Sequence, residues 1–283
     1  MSEAVPPSIA RIPAIVTAGG PVGGDLAAQA GTDLKALLPI GGEPLLVHVL
    51  QALRHAPGVG SITVIGPKSR IETVARDAGA ERVIEAGRDG DENLMIGLEA
   101  LSAARGADSA PGQPVLFAAS DLPFLDTEAT TEFLNAATGK DADIVYPILT
   151  RQRFAAAFPD VPKTYARLAD GEMTGGSVLL LNPDALLRNR NLIGEVFQAR
   201  KNELAMAKLL GFAFAVRYKM GKLTVADAVR RASELTGCSC AVLSDADPRL
   251  AYDIDDTTDY NDAVRRWENA RTFHSVQSGG ENT

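Results

Sequence analysis

IPAIVTAGGPVGGDLAAQAGTDLKALLPIGGEPLLVHVLQAL, running from Ile12 to Leu53, decides the fold. Ile12 to Thr17 is short, apolar and β-branched, the composition of a strand buried on both faces of a parallel sheet. A glycine-rich loop follows at once, with Gly19, Gly20, Gly23, Gly24 and Gly31 interrupted by Pro21. Such a backbone turns tightly and brings its N–H groups close to an anion, as a polyphosphate requires. Lys35 follows, just before an apolar stretch and Pro39, where an ammonium on a flexible stem can neutralise phosphate charge. The loop fits neither the P-loop spacing, since Lys35 lacks a preceding glycine and a following Ser or Thr, nor the dinucleotide fingerprint G-x-G-x-x-G.

Outward from this stretch, strand and helix patterns alternate as in a doubly wound sheet. A helix is expected from Leu45 to Arg54, a strand over Ser61–Gly66, a helix at IETVARDAG, a short strand at Val83-Ile84, and a helix over Asn93–Ala104 capped by Asp91 or Asn93. Arg105 to Pro114 reads as a polar linker within the same sheet. Val115 to Ala119 is another buried-strand run, ending in Ser120-Asp121, so Asp121 stands at the carboxyl edge where open parallel sheets bind ligands. A carboxylate there can hold Mg²⁺ against substrate phosphates, and an Asp before Leu-Pro also suits an Asx-turn or a helix cap. Near the C-terminus LAYDIDDTTDYNDAVRRW collects acids ahead of a helix expected to start near Asp259 with Thr257 or Thr258 as its cap.

Three motifs in this order resemble the nucleotidyltransferase superfamily with the glycosyltransferase-A-like fold, especially its branch similar to molybdenum-cofactor guanylyltransferase. They are TAGG with Lys35 and LLPIGGEPLL, then AASDLPFL, then the segment around Asp253-Ile254-Asp255. The resemblance implies an α/β, Rossmann-like, doubly wound and mostly parallel sheet, with a helical C-terminal lobe. It implies transfer of NMP from an NTP to a phosphorylated acceptor, a molybdopterin-type cofactor or a sugar or polyol phosphate, with release of pyrophosphate. Lys35, Asp121 and Asp255 carry over as the catalytic set, with Mg²⁺ held by Asp121 and Asp255. Ala18, Gly19, Gly20, Gly23, Lys35, Gly87, Arg88 and Asn93 carry over as nucleotide contacts. Lys163, Thr164, Arg167, Thr174, Gly175 and Gly176 carry over to the acceptor side.

This chain departs from the family pattern in two places. Asp256-Thr257-Thr258-Asp259-Tyr260 replaces T-P-E-D-L, and the loop has Gly23-Gly24-Asp25 where many members carry an arginine. A glycosyltransferase using a nucleotide sugar, or a weakened nucleotide-binding homologue, are the alternatives.

The expected organisation is one domain over 1–283, with a nucleotide-binding core at 12–150, an acceptor-side and helical lobe at 151–245, a returning metal-ligand segment at 250–268 and a flexible tail at 274–283. With 46% hydrophobic and 23% charged residues the 283-residue chain can bury a large core, and a net charge of −8 argues against nucleic-acid partners. Cys238 and Cys240 are one residue apart, unsuited to a zinc ribbon or a redox motif, and read as reduced in a cytoplasmic protein. The opening MSEAVPPSIARIP has no long apolar run, Leu209–Val216 suits a core segment better than a membrane span, and no membrane partner is expected. Leu192 to Gly237 has helical periodicity and is expected to pack as a lobe on the sheet, with Arg200 and Lys201 within reach of an anionic acceptor. CSCAVLSD reads as an edge strand. His48, His55 and His274 form no catalytic grouping.

Overall fold

The computed structural model describes residues 11–105, 112–199 and 202–278. Most of the linker after Arg105, the pair Arg200 and Lys201, and residues 279–283 of the expected tail therefore lie outside the described residues, as does the side chain of His274.

Strand β1 (Ile12–Thr17) leads into α1 (Gly24–Ala30), and a short antiparallel pair, β2 (Pro39–Ile40) and β3 (Glu43–Pro44), precedes α2 (Leu45–His55). There follow β4 (Val59–Gly66), α3 (Lys68–Asp77), β5 (Arg82–Glu85), α4 (Gly90–Ala104), β6 (Val115–Ala119) and α5 (Thr127–Thr138). The second half comprises β7 (Ile144–Thr150), α6 (Arg151–Ala157), β8 (Ala166–Leu168), β9 (Gly171–Gly175), β10 (Val178–Leu181), α7 (Pro183–Arg188), α8 (Arg190–Ala199), α9 (Glu203–Leu210), α10 (Phe212–Lys219), α11 (Val225–Thr236), β11 (Cys240–Leu243) and α12 (Thr257–Ser278).

Apart from the β2-β3 pair, the described strands form one nine-stranded sheet in the order β5-β4-β1-β6-β10-β7-β9-β8, with β11 also on β7. The pairs β5-β4, β4-β1 and β1-β6 are parallel. Strand β10 runs antiparallel between β6 and β7, and β8-β9 is an antiparallel hairpin on the far end of β7. Strand β11 pairs only with β7, as an edge strand. Side chains alternate across the sheet. Along β1, Ala14 and Val16 enter the cluster that α2 and α5 cover, whereas Ile15 enters the opposite cluster with Leu94, Leu98 and Leu181. A third cluster, including Leu38, Phe154, Tyr252 and Ile254, joins the return segment to the loop side. The architecture is thus α/β, doubly wound and mostly parallel, as the motifs implied.

Four local expectations are corrected. Helix α4 starts at Gly90, not Asn93, because Asp89 rather than Asp91 or Asn93 is its cap and accepts from the Glu92 N–H. Helix α12 starts at Thr257, and its cap is neither threonine. Asp256 accepts from the N–H groups of Thr258 and Asp259 while the Asp259 carboxylate accepts from the Asp256 N–H, a reciprocal box. The same helix continues to Ser278, past residue 274 where a tail was expected. Finally, Leu209–Val216 is not a core segment. Gly211, at φ 93°, breaks it, and α10 buries no residue and leaves Phe212 86% exposed. Helix α11 packs on β11, whereas α9 packs chiefly on α8 and α10. Among the described residues no helix is long and apolar enough to cross a membrane.

Candidate active site

The chain winds from β1 to β4 and β5 on one side and then returns to place β6 on the other, which puts the switch point of the sheet between β1 and β6. Ligands bind beyond the carboxyl ends of such a strand pair. Thr17 and Ala119 are register partners at those ends, and the Ser120 N–H donates to the Thr17 carbonyl. The glycine loop and Asp121 therefore leave the sheet side by side.

The loop is closed on itself by backbone hydrogen bonds from Lys35 N–H to the Gly20 carbonyl (2.9 Å) and from Val22 N–H to the Asp33 carbonyl (2.7 Å). These bring Lys35 back over Gly20, where an added Cβ would lie 3.5 Å from the lysine stem. Gly23 and Gly24 face open space, and Gly24 holds φ 57°, a conformation that strains any other residue. Asp25, which stands where many family members have arginine, is exposed in the first turn of α1. Its charge is solvated and complements the helix N-terminus. On the other side of the loop, the buried Asn93 accepts from the Gly87 N–H (2.7 Å), and its amide nitrogen lies 3.1 Å from a Cβ built on Gly19. One side chain thus joins two of the expected nucleotide-binding segments. Arg88 points to solvent and pairs with Glu92.

Lys35, Asp121 and Asp255 meet. The Lys35 ammonium lies 3.2 Å from Asp121 Oδ2 and 2.7 Å from Asp255 Oδ1, across sequence separations of 86 and 220 residues. Lys35 and Asp121 are largely shielded, with side chains 17% and 18% exposed, whereas Asp255 is 71% exposed. Burial raises the Asp121 carboxyl above its ordinary range, partly opposed by Lys35 and reinforced by the charges of Asp253 and Asp255. Burial acts to lower the Lys35 ammonium, but the two carboxylates outweigh it and hold it above its usual value.

The return segment is fixed from several directions. Ile254 N–H donates to the Asp121 carbonyl (3.1 Å), and the Ile254 side chain is fully buried while its neighbours Asp253 and Asp255 both line the cleft. Helix α12 ties down both sides of the site. Tyr260 donates to the Pro39 carbonyl near Lys35, and the Trp267 indole donates to the Pro123 carbonyl next to Asp121. Tyr252 is wedged edge-on against Phe124 and Phe158 and donates to Asp262.

Among the described residues Asp121 Oδ1 is buried with no hydrogen-bond partner, and the two carboxylates, when both ionised, carry one negative charge more than Lys35 balances. An orphaned carboxylate oxygen, on a side chain whose lysine also holds a second carboxylate, suits a hard divalent cation such as Mg²⁺, which takes one or two carboxylates and completes its shell with water and phosphate oxygens. Among the described residues no three His, Cys, Asp or Glu side chains cluster to hold a metal alone. The donor set fits a cation shared with substrate.

Beyond Asp255 lies an open cleft of about 540 Å³ lined by Lys163, Thr164, Thr174, Gly175, Asp253 and Asp255. Four of the six expected acceptor residues are therefore brought together with the return segment. Lys163 is paired with Asp253 and stands over the Phe154 ring. Gly176 lies just behind, where an added Cβ would meet the Leu250 carbonyl oxygen at 2.7 Å. Arg167 is not part of the cleft. It lies exposed on β8, paired with Glu172. Arg151 also pairs with Glu172, and Arg153 donates to the Ala246 carbonyl. His48 and His55 serve structure, bonded to the Ile40 and Gln51 carbonyls.

Sequence reasoning missed Tyr146, Ser177 and the Lys163–Asp253 pair. Tyr146 crosses Gly175 so closely that a Cβ there would overlap its hydroxyl. The one available signal was Gly175 itself, a glycine at the end of a strand where another group must approach.

A family profile described as "MobA-like NTP transferase domain" matches residues 14–210, a span that holds the loop, Lys35 and Asp121 but not Asp255. A search of curated proteins found no match. Among solved structures, one from Thermus thermophilus described as a hypothetical transferase is 31% identical, with a TM-score of 0.75, covering 88% of this chain and 99% of its own. A 4-diphosphocytidyl-2C-methyl-D-erythritol synthase from Anaerococcus prevotii shares the fold at 13% identity and a TM-score of 0.56, covering 92% and 99% of the two chains. A nucleotidyl transferase from Methanothermobacter does so at 17% identity and 0.52, with the same coverage.

Proposed function

The chain belongs to the family of MobA-like NTP transferase domains and is a nucleotidyltransferase, and from that premise we propose a Mg²⁺-dependent reaction that moves NMP from an NTP to a phosphorylated small-molecule acceptor, releasing pyrophosphate. The observation that carries this reading is the contact of Lys35 with both Asp121 and Asp255 at the open end of the glycine loop.

In this reaction the loop from Ala18 to Gly23 lies along the triphosphate and offers it the N–H groups of Gly19, Gly20 and Gly23, those of Ala18 and Val22 being bonded to the Ile65 and Asp33 carbonyls, and Gly87 and Asn93 border the nucleoside. Asp121 and Asp255 hold the cation, whose chemistry when bound is to polarise the phosphates and neutralise the charge on the leaving group. Lys35 keeps the two carboxylates together beforehand and then turns its ammonium to the phosphate oxygens. An acceptor phosphate oxygen in the cleft of Lys163 and Thr164 attacks the α-phosphorus, the bond to the β-phosphate oxygen breaks, and pyrophosphate carries that electron pair away. No protein side chain becomes covalently attached, so rate enhancement comes from positioning and from charges fixed in advance.

The test is a thermal-shift comparison of ATP, GTP, CTP and UTP with and without Mg²⁺, followed by coupled detection of pyrophosphate with candidate acceptors. A Mg²⁺-dependent shift with one NTP is expected, since a ligand that binds only the folded state stabilises it by mass action. No shift with any NTP, combined with a shift for a nucleotide sugar, overturns the reading in favour of glycosyl transfer.

A further inference from the structure

Behind the reaction centre lies a second cavity, of about 400 Å³, whose chemistry is opposite to that of the acceptor cleft. Its floor is the sheet, through Phe117 on β6 and Leu179 and Leu181 on β10. Its roof is helical, through Leu94 on α4 and Ile193 and Val196 on α8. Thr17, Asp121 and Ser177 line it too, and Ser177 and Tyr146 also line the acceptor cleft. Apart from Asp121 and Tyr146, none of its described lining side chains titrates.

The alternation of the strands makes this pocket. Leu179 and Leu181 are two apart on β10 and so face one side, and the roof helices stand off that side without filling it. The volume equals about a dozen water molecules, and water there would find few polar partners. A dry void of this size forfeits packing that a marginally stable fold can ill spare. A nucleobase is a poor occupant, because its edge carries donors and acceptors that these walls would leave unpaired. An apolar group is a good one. Because the pocket shares Asp121 with the reaction centre and Ser177 with the acceptor cleft, the group that enters it belongs to a molecule whose phosphate lies at that junction.

We propose that the acceptor is a phosphate monoester carrying a hydrocarbon chain or apolar ring, and that this apolar part lies between β6, β10, α4 and α8. This deepens the proposed function and rests on it.

The test titrates the protein, loaded with the stabilising NTP and Ca²⁺ in place of Mg²⁺ to slow turnover, with ethyl, butyl, hexyl and octyl phosphate by calorimetry. Affinity is expected to rise roughly fourfold per added methylene, with an increasingly negative heat-capacity change as the chain lengthens. Val196→Trp, which fills the pocket from its roof, is expected to erase the chain-length dependence while the NTP thermal shift stays unchanged. Should that variant fail to fold, Val196→Asn places a polar amide in the same wall without added bulk and is expected to weaken octyl but not ethyl phosphate. Affinity independent of chain length, or a dependence that persists in the folded Val196 variant, overturns the proposal. A retained NTP shift in those cases leaves the nucleotidyl-transfer reading standing, whereas absence of any NTP shift removes that reading and this inference with it.

Discussion

Two lysines reach the return segment from opposite halves of the molecule, Lys35 at Asp255 and Lys163 at Asp253, and their surroundings differ in one decisive respect. Lys35, beside the parallel half, meets two carboxylates, one of them with a buried oxygen that has no partner. Lys163, on the antiparallel side, pairs with Asp253 alone, both side chains largely shielded. The first cluster sets two carboxylates against one ammonium and carries surplus negative charge when both are ionised, whereas the second sets one against one. The difference teaches that charge balance separates a cluster open to a further positive charge from a pair already matched within the chain. A phosphate reaching Lys163 would share its ammonium with Asp253, whose charge opposes the anion and makes that contact selective rather than merely attractive.

The largest expected effect breaks the comparison at Asp121. Asp121→Asn is expected to lower the rate of pyrophosphate release by at least ~10²-fold, the scale of losing one preorganised electrostatic contact. Its melting temperature should be unchanged or higher, because burial already penalises the ionised carboxyl. A variant within tenfold of the parent would remove the surplus-charge cluster from the reaction. Next, Lys163→Met is expected to raise KM for the acceptor about tenfold and leave NTP binding alone, the signature of lost uniform binding. It should also cost about 1 kcal/mol of stability from the partner carboxylate left unpaired. Adding Asp253→Asn should recover that stability but not KM, and recovery of both would make the pair purely structural.

Smaller effects sharpen the contrast at the end of β9. Gly176→Ala is expected to cost ~1–3 kcal/mol by urea denaturation, since its Cβ meets a backbone carbonyl that cannot move aside. Gly175→Ala first meets the Tyr146 side chain, a half-exposed group that can swing aside. It should cost less stability and instead disturb acceptor binding. The smallest effect lies away from both lysines, at the cap of α11. The Thr224 backbone N–H, then Arg217 and the Thr224 hydroxyl, hold the Asp227 carboxyl down at about 2. A depressed carboxyl contributes stability above its unfolded value near ~3.9, and that contribution is lost as pH falls through the folded value. Between pH ~4 and ~2 the parent should therefore lose more melting temperature than Asp227→Asn.

The candidate site was legible where its residues follow locally patterned strands, Asp121 closely after β6 and Lys35 across the glycine loop from β1. Lys35 and Asp121 follow runs whose apolar character announces a buried parallel sheet, and Asp255 was found through the short motif around Ile254. Their meeting was not legible from pattern alone, because a register such as Thr17 against Ala119 is a fact of pairing between distant segments. The acceptor side was harder to read. Arg167 was carried over with Lys163 from one stretch of sequence, yet the β8-β9 hairpin turns it to solvent. The run Leu209–Val216 misled because composition records hydrophobicity but not where a glycine such as Gly211 ends a helix. At Thr257 and Thr258 the residue type was right for a cap, but Asp256 reached the free N–H groups first.

The late position of Asp255 has a consequence in time as well as in space. It follows Lys35 by 220 residues, which at ~5–20 residues per second is roughly ten to forty seconds of synthesis. Throughout that interval the growing chain carries the loop, and later Asp121, without the carboxylate that returns on the segment before α12. On the proposed reading, nucleotide captured by the unfinished sheet edge would lack one of the two cation-holding carboxylates, so competence would arrive with the docking of Tyr260 and Trp267 rather than accumulate as the sheet is made.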